Sequence, residues 1–223
     1  MSAATSLQIQ LAGQPLHLCV ERAAYDPLSG YLLVADVHFG KGAVFRARGV
    51  PVPAGTTADN LRRLDSLIAR HAPTGIVFLG DFLHAHESQG LLTTAALLAW
   101  RARHASLRLV LVTGNHDRHA GAPAALLGIE QVEEPFPLGP WALCHHPQKV
   151  AGRYVLAGHE HPGVRLSTRV DALRVPCFAL GVDLGVLPAF GAFTGLMNIE
   201  TSGKRIYLVA DDRVVGPLPN SSA

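Results

Sequence analysis

Five short apolar runs in this chain each end directly in a short segment carrying Asp, Asn or His. Residues 31–35 run into Asp36-Val37-His38, residues 76–79 into Gly80-Asp81, and residues 107–112 into Thr113-Gly114-Asn115-His116-Asp117. Residues 141–144 run into His145-His146-Pro147, and residues 154–157 into Gly158-His159-Glu160-His161. A short apolar run bounded by turn residues reads as a buried strand. Helical patterns separate the first of these strands. One spans about 57–71, with Thr56 or Thr57 to cap it and Leu61, Leu64 and Ile68 as its apolar stripe. Another spans about 87–104 and is apolar over most of its length, which predicts good coverage. A third, short helix is expected at 121–127, and the stretch FGKGAVFRARGVPVPAG reads as a loop. Strands alternating with helices imply an α/β layered domain with parallel strands in its first half. In such sheets the loops at the carboxyl ends of strands collect at one edge. The five polar ends are therefore expected in one place.

The flanking segments fit that plan. Residues 7–11 and 16–20, around Gly13-Gln14-Pro15, read as a hairpin. Strand-like pieces at 164–167, 173–180, 195–199 and 205–209 point to added antiparallel strands. No repeat, low-complexity tract or linker divides the chain, so one domain over 1–223 is expected, with 219–223 as a loose tail.

Composition removes several classes. With 223 residues and 48% hydrophobic content, the chain is globular and long enough for a sizeable core. No apolar run approaches the roughly 18 residues of a membrane helix, and the start MSAATSLQIQ lacks the regions of a secretory signal, so a cytoplasmic protein is expected. A net charge of +2 excludes a wholly basic nucleic-acid clamp but allows a local patch from Arg46, Arg48, Arg62, Arg63 and Arg118. Cys19 and Cys144 sit inside apolar runs and read as buried thiols; with Cys177 they form neither a disulfide framework nor a CxxC site.

Asp36, Asp81 and the Asn115 amide offer hard oxygen donors. His38, His145 or His146, His159 and His161 offer nitrogen donors. A mixed set of this kind, without cysteine, suits Mn²⁺, Fe²⁺ or Zn²⁺ in a reactive rather than a closed structural site. Seven donors exceed one ion and suit two ions sharing a carboxylate, an arrangement that clamps both oxygens of an in-line phosphoryl displacement. Any one of these motifs is a common chance pair; the weight lies in five of them at successive strand ends.

The motif series resembles the calcineurin-like metallophosphoesterase superfamily, from Asp36 to His161. The resemblance implies a layered αββα sandwich of two β-sheets flanked by helices, with a dimetal site at the strand ends. It gives the first metal Asp36, His38, Asp81 and His161, and the second Asp81, Asn115, His145 and His159. It makes His116 the histidine that acts on the phosphate or protonates the leaving oxygen, with Asp117 to orient it. The superfamily's usual His-Gly favours His145 over His146. The stretches VADVHFGKGAVFRARGVPVPAGTT, GDFLHAH, GNHDR, EPFPLGPWALCHHP, YVLAGHEHPG and CFALGVDLGVLPAFGAFTG, over a third of the chain together, are similar to the ligase-associated DNA damage response endonucleases of bacteria. That likeness implies a manganese-dependent phosphodiesterase that nicks DNA, single strands favoured, alongside an ATP-dependent DNA ligase, a helicase and an exonuclease. A homodimer is compatible with it.

Lys41, Arg46, Arg118 and His84 follow the metal motifs and are the candidate phosphate contacts. Aromatic platforms are sparse; Phe39 and Phe82 each stand one residue beyond a ligand candidate. The rival readings are a phosphohydrolase of the same superfamily acting on a nucleotide or lipid diphosphate, and a metal-bound scaffold for repair proteins without catalysis.

Overall fold

In the computed structural model, which describes residues 5–52, 55–120, 125–167 and 171–219, seven strands form one sheet in chain order. These are β1 (Ser6–Leu11), β2 (Gln14–Cys19), β3 (Ala24–Asp26), β4 (Tyr31–Ala35), β5 (Gly75–Leu79), β6 (Arg108–Val112) and β7 (Ile129–Val132). The expected hairpin is β1–β2, and β4 to β7 are parallel. The second sheet holds β8 (Phe136–Leu138), β9 (Trp141–Leu143), β10 (Tyr154–Ala157), β11 (Pro162–Ser167), β12 (Ala172–Leu180), β13 (Leu184–Val186), β14 (Met197–Asn198), β15 (Arg205–Val209) and β16 (Val214–Val215). Its order is β14-β11-β12-β13-β10-β9-β8, with β15 on β12 and β16 on β15. β10 runs parallel to β9 and β13, whereas β11, β13 and β15 all meet β12 antiparallel.

Alternation along the strands sorts the core into layers. Leu33, Ala35, Val77, Leu79, Val110 and Val112 face the second sheet, meeting Trp141, Leu156, Phe178 and Leu187 in one buried cluster. The intervening Leu32, Val34, Ile76, Phe78, Leu109 and Leu111 face Leu61, Leu64, Leu67, Leu97 and Trp100 from the helices. The outer face of the second sheet buries Cys177, Ala179, Ile206 and Leu208 under Ile199 and Leu218. This is the expected α/β sandwich of two sheets with flanking helices. All three cysteines are free and buried.

The helices differ from the sequence reading in detail. The glycine- and arginine-rich segment read as a loop contains α1 (Lys41–Ala47). Glycine-rich composition hides it, and packing explains the composition: a Cβ on Gly42 would lie 2.5 Å from Thr56 Oγ1. α2 (Thr56–His71) forms where expected, but Gly55 in a left-handed conformation precedes it and no threonine caps it. The long helix expected at 87–104 is a 3₁₀ turn (His86–Gln89), a break at Gly90, and α3 (Leu91–Arg103). Its first residues are not covered, since Leu91 and Leu92 are each 89% exposed. α4 (Asn115–Ala120) and a 3₁₀ turn (Ala125–Leu127) flank 121–124. Residues 121–124, the first part of the short helix expected at 121–127, lie outside the described residues, as do residues 220–223 of the expected tail.

Leu97 and Leu92 therefore test opposite sides of α3. Leu97→Ala is expected to cost about 2–5 kcal/mol in urea unfolding, and Leu92→Ala to stay within about 0.5 kcal/mol of the parent. Equal losses at the two positions would show that the solvent-facing side of α3 is covered.

Candidate metal centre

The carboxyl ends of β4, β5 and β6 in one sheet and of β9 and β10 in the other meet at one edge of the sandwich. The chain turns sharply there. Asp36, His38, Asp81, His159 and His161 all have positive φ, between 45° and 70°. Non-glycine residues visit that region rarely, at a cost on the order of 1–3 kcal/mol each. Asp36 and His38, like His159 and His161, are two residues apart and share a side of an extended chain, and the sharp turns aim the pairs from different strands at one point. Close approach of the backbone completes the arrangement. A Cβ on Gly80, itself at φ 73°, would lie 2.1 Å from His145 Nδ1, and one on Gly158 would lie 2.7 Å from Asp36 Oδ2.

On one side of the site, Asp36 Oδ2 accepts the His159 N–H at 2.8 Å, which leaves Oδ1 for another purpose. Oδ1 is buried without a hydrogen-bond partner, as are both ring nitrogens of His38 and Nε2 of His161. The His161 ring donates from Nδ1 to the Gly195 carbonyl at 3.2 Å, so its Nε2 carries a lone pair. That Nε2 lies 3.7 Å from Asp36 Oδ1, and His38 Nε2 lies 3.7 Å from Asp81 Oδ2. Buried acceptors aimed at one another without a donor are unfavourable unless a cation stands among them. Asp36, His38 and His161 are close enough to hold one.

The other side has the same character. His145 donates from Nδ1 to the Leu79 carbonyl at 3.1 Å, which assigns the lone pair to Nε2. Nε2 then faces Asn115 Oδ1 at 2.8 Å, His159 Nδ1 at 3.1 Å and Asp81 Oδ1 at 3.6 Å. Burial also lowers the pKa values of His38, His145 and His159, which keeps these rings neutral. Neutral imidazole is the metal-binding form. Asp81 is pushed the other way, first by burial and then by the charge of Asp36. Two buried carboxylates and a ring of lone pairs form a site complementary to positive charge.

His145 and His146 separate by depth. His145 is fully buried between both carboxylates. His146 sits at the rim with its Nδ1 held by Glu134 Oε1 at 2.7 Å, and it groups only with His145 and His159.

His116 stands beside the carboxylates, with Nε2 4.0 Å from Asp81 Oδ2. Its orientation differs from the sequence reading. Asp117 does not bond to the His116 ring; its carboxylate accepts the N–H groups of Phe82, Leu83 and Gly114 at 2.9, 3.3 and 3.0 Å. Asp117 thus ties two of the motif loops together, and burial lifts its pKa to about 6. The His84 carbonyl accepts the proton from His116 Nδ1 at 2.8 Å, and the two rings stack with centroids 5.2 Å apart. The reason lies in spacing: Asp117 is next to His116 on a helical turn, where adjacent residues face apart.

Of the candidate phosphate contacts, His84 lies in the cluster and Lys41 lies beside it. Burial lowers the Lys41 pKa against the pull of Asp81 and Asp36. Arg46 instead reaches the Val52 carbonyl at 3.4 Å, and Arg118 pairs with Glu133 at 3.4 Å on the surface. Sequence reasoning missed Glu134, whose Oε2 accepts the N–H groups of His145 and His146 at 2.7 and 2.9 Å. It also missed Asn60, which donates to the Val37 carbonyl at 3.3 Å. Asn60 lies inside α2, and Glu134, though it heads the stretch EPFPLGPWALCHHP, follows no long apolar run, so spacing marks neither as a site residue.

Residues 31–145 match the calcineurin-like phosphoesterase family model. The chain belongs to that family. A crystal structure of Pseudomonas putida nuclease MPE is 44% identical, with a TM-score of 0.85 over 95% of this chain and 99% of that one. Yfce, a phosphoesterase from E. coli, is 15% identical with a TM-score of 0.39 over 82% of this chain and 90% of its own, too distant to carry an argument. No curated protein sequence matches. As a calcineurin-like phosphoesterase, the chain is a metal-dependent hydrolase of phosphoester bonds. No helix among the described residues is long and apolar enough to cross a membrane.

In this phosphoesterase the Gly80 contact is a sensitive point. Gly80→Ala places a methyl group inside the His145 ring position. Bound divalent metal per chain, read by elemental analysis after dialysis, is expected to fall by about half or more, since displacing or re-aiming a ligand typically costs about 10–100-fold in metal affinity. Full metal content in the variant would show that His145 is not a ligand.

Proposed function

We propose that this phosphoesterase is a two-metal phosphodiesterase that cuts DNA as an endonuclease. The observation that carries the reading is the convergence of seven candidate donors, from the buried Asp36, His38, Asp81 and His145 to the more open Asn115, His159 and His161, on one edge where several lack a hydrogen-bond partner. The 44% identity to a nuclease over nearly the whole chain supports nucleic acid as the substrate. Asp36, His38, Asp81 and His161 would hold one ion, and Asp81, Asn115, His145 and His159 the other, with Asp81 shared. When bound, the ions supply an acidified water and charge neutralisation for in-line displacement at phosphorus. The donors suit Mn²⁺, and the same set accepts Fe²⁺ or Zn²⁺.

The chain's own groups supply the rest. The His84 carbonyl holds the Nδ1 proton of His116, which directs Nε2 toward the carboxylates and a phosphate bound over them. When its Nε2 is protonated as well, the His116 imidazolium gives that Nε2 proton to the leaving alkoxide and returns to the neutral ring with Nδ1–H still held by His84. Lys41 adds positive charge at the edge of the carboxylate pair. The sequence stretches shared with bacterial repair endonucleases support a cytoplasmic role in DNA repair, with single strands preferred.

A chelated protein is expected to lose plasmid nicking and to recover it with Mn²⁺. Asp81→Ala is expected to abolish nicking. His116→Ala should slow DNA cleavage about 100-fold or more, and should slow a bis(nitrophenyl) phosphate much less, because nitrophenolate leaves without being protonated. Parent-like nicking by Asp81→Ala would remove the shared-ligand role of Asp81, and hydrolysis confined to nucleotide or lipid diphosphates would remove the nuclease assignment.

A further inference from the structure

The segment from Phe190 to Asn198 contributes only one carbonyl to the roles above, yet it is fastened to the candidate metal centre at both ends. The N–H groups of Phe190 and Gly191 donate to the carbonyls of Ala35 and Asp36 at 2.8 and 3.0 Å. Ala192 N–H donates to Asn60 Oδ1 at 3.2 Å, and Arg63 of α2 donates to the Phe190 carbonyl at 2.6 Å. Farther on, the Gly195 carbonyl accepts from the His161 ring, and Met197 N–H donates to the His161 carbonyl at 3.0 Å. Phe193 stands between these two sets of bonds. It is 49% exposed and has φ 63°. A bulky side chain in the left-handed region is an outlier, and backbone strain of this kind gathers where ligands bind. Its Cα lies within about 7 Å of that of Gly195 by chain length alone.

The aromatic residues picked from sequence cannot serve as base platforms. Phe39 and Phe82 are 1% and 3% exposed and belong to the core. Phe193 does present a ring to solvent beside the site, on a loop whose conformation is already set. Binding there would order little that is not ordered beforehand.

A second feature lies on the same path. β11 leaves His161 directly, and Leu196 packs against its bare Gly163, where a Cβ would lie 2.9 Å from Leu196 Cβ. Two residues on, Arg165 stands opposite Arg174 of β12 in the antiparallel register. Gly163 and Arg165 share a face by alternation, so the arginines lie on the side of the strand that carries the loop. Both are exposed, and among the described residues neither pairs with a carboxylate. Like charges directly opposite across two strands are unfavourable, and an anion between them reverses the sign. Arg165 is four residues beyond His161 and so at most about 14 Å from it.

We propose that Phe193 is a stacking platform for a nucleobase of single-stranded nucleic acid, and that the Arg165–Arg174 pair grips the backbone of the same strand farther from the metals. The proposal rests on the DNA reading of the site. A single strand is the partner of choice because its bases have free faces, which a duplex does not offer. Neither contact reads base identity, so the surface positions the strand without selecting sequence.

The test uses the full-length, Mn²⁺-loaded enzyme with a short fluorescein-labelled oligothymidylate, scoring KM and kcat for cleavage. Phe193→Ala is expected to raise KM about tenfold with kcat little changed. Phe193→Trp restores affinity. Phe193→Gly separates binding from structure: relief of strain leaves the melting temperature unchanged or higher while KM still rises. Arg165→Ser with Arg174→Ser is expected to reduce the log–log salt dependence of binding by about 1.4 units, the value for two single-strand phosphate contacts. Unchanged KM in Phe193→Ala, while the parent enzyme cuts the oligonucleotide, would overturn the stacking surface alone. If the parent hydrolyses bis(nitrophenyl) phosphate but neither binds nor cuts the oligonucleotide, the DNA reading fails instead.

Discussion

Two carboxylates, Asp36 and Asp81, are buried within reach of the same imidazoles, and the protein must tolerate their proximity. Burial and mutual repulsion both favour neutralising Asp81, yet Asp36 Oδ1 and His161 Nε2 find no hydrogen-bond partner and His145 Nε2 faces other acceptors. Bound cations invert this balance, because the features that are costly in their absence become ligand field in their presence. The rest of the site serves that exchange. The Leu79 and Gly195 carbonyls fix the tautomers of His145 and His161. The Asp117 carboxylate fastens the Asp81 and Asn115 loops to each other through three N–H groups. Glu134 does the same for the His145–His146 segment.

This arrangement needs both sheets. Asp36, Asp81 and Asn115 follow strands of the first, and His145 and His159 follow strands of the second. A cluster shared between two packed layers is only as stable as their common core of Leu33, Val77, Val110, Trp141, Leu156 and Phe178. Left-handed residues at the strand ends add local strain, and the surrounding bonds hold it in place. Phe193 extends the same economy of construction outward, since the loop that displays it is anchored on Asp36 and His161.

Much of this is legible in the chain before folding. Short apolar runs mark the strands β4, β5, β6, β9 and β10, and their polar ends carry the seven candidate donors, which the fold brings to one edge. The misses have physical causes. α1 reads as a loop because Gly42, needed for close packing on Thr56, and its neighbouring Gly40 look like loop composition. The break at Gly90 and the exposure of Leu91 and Leu92 were invisible because apolar content reports what could be buried and not what is. β7, β8 and β13 lack the unbroken apolar run that marks β9 and β10, being interrupted by Glu130 and Gln131, Pro137 and Gly185, and β16 has only two residues.

The sequence by itself determined the chemistry of the site. Residue type sets which atoms can donate a lone pair or a charge, and the position of each motif directly after an apolar run sets where it must emerge. Only the tertiary structure decided which partners those atoms have. Asp117 faces backbone N–H groups and not His116, His145 lies inside while His146 stays at the rim, and Arg46 and Arg118 turn to other partners. Asp117 reaches Phe82 and Leu83 across 35 and 34 residues, and the nearer pairs, such as Arg46 with Val52, form only where the intervening chain folds back on itself. Spacing along a strand or helix fixes the direction of neighbours only within that element, and the packing of one sheet on the other sets the rest.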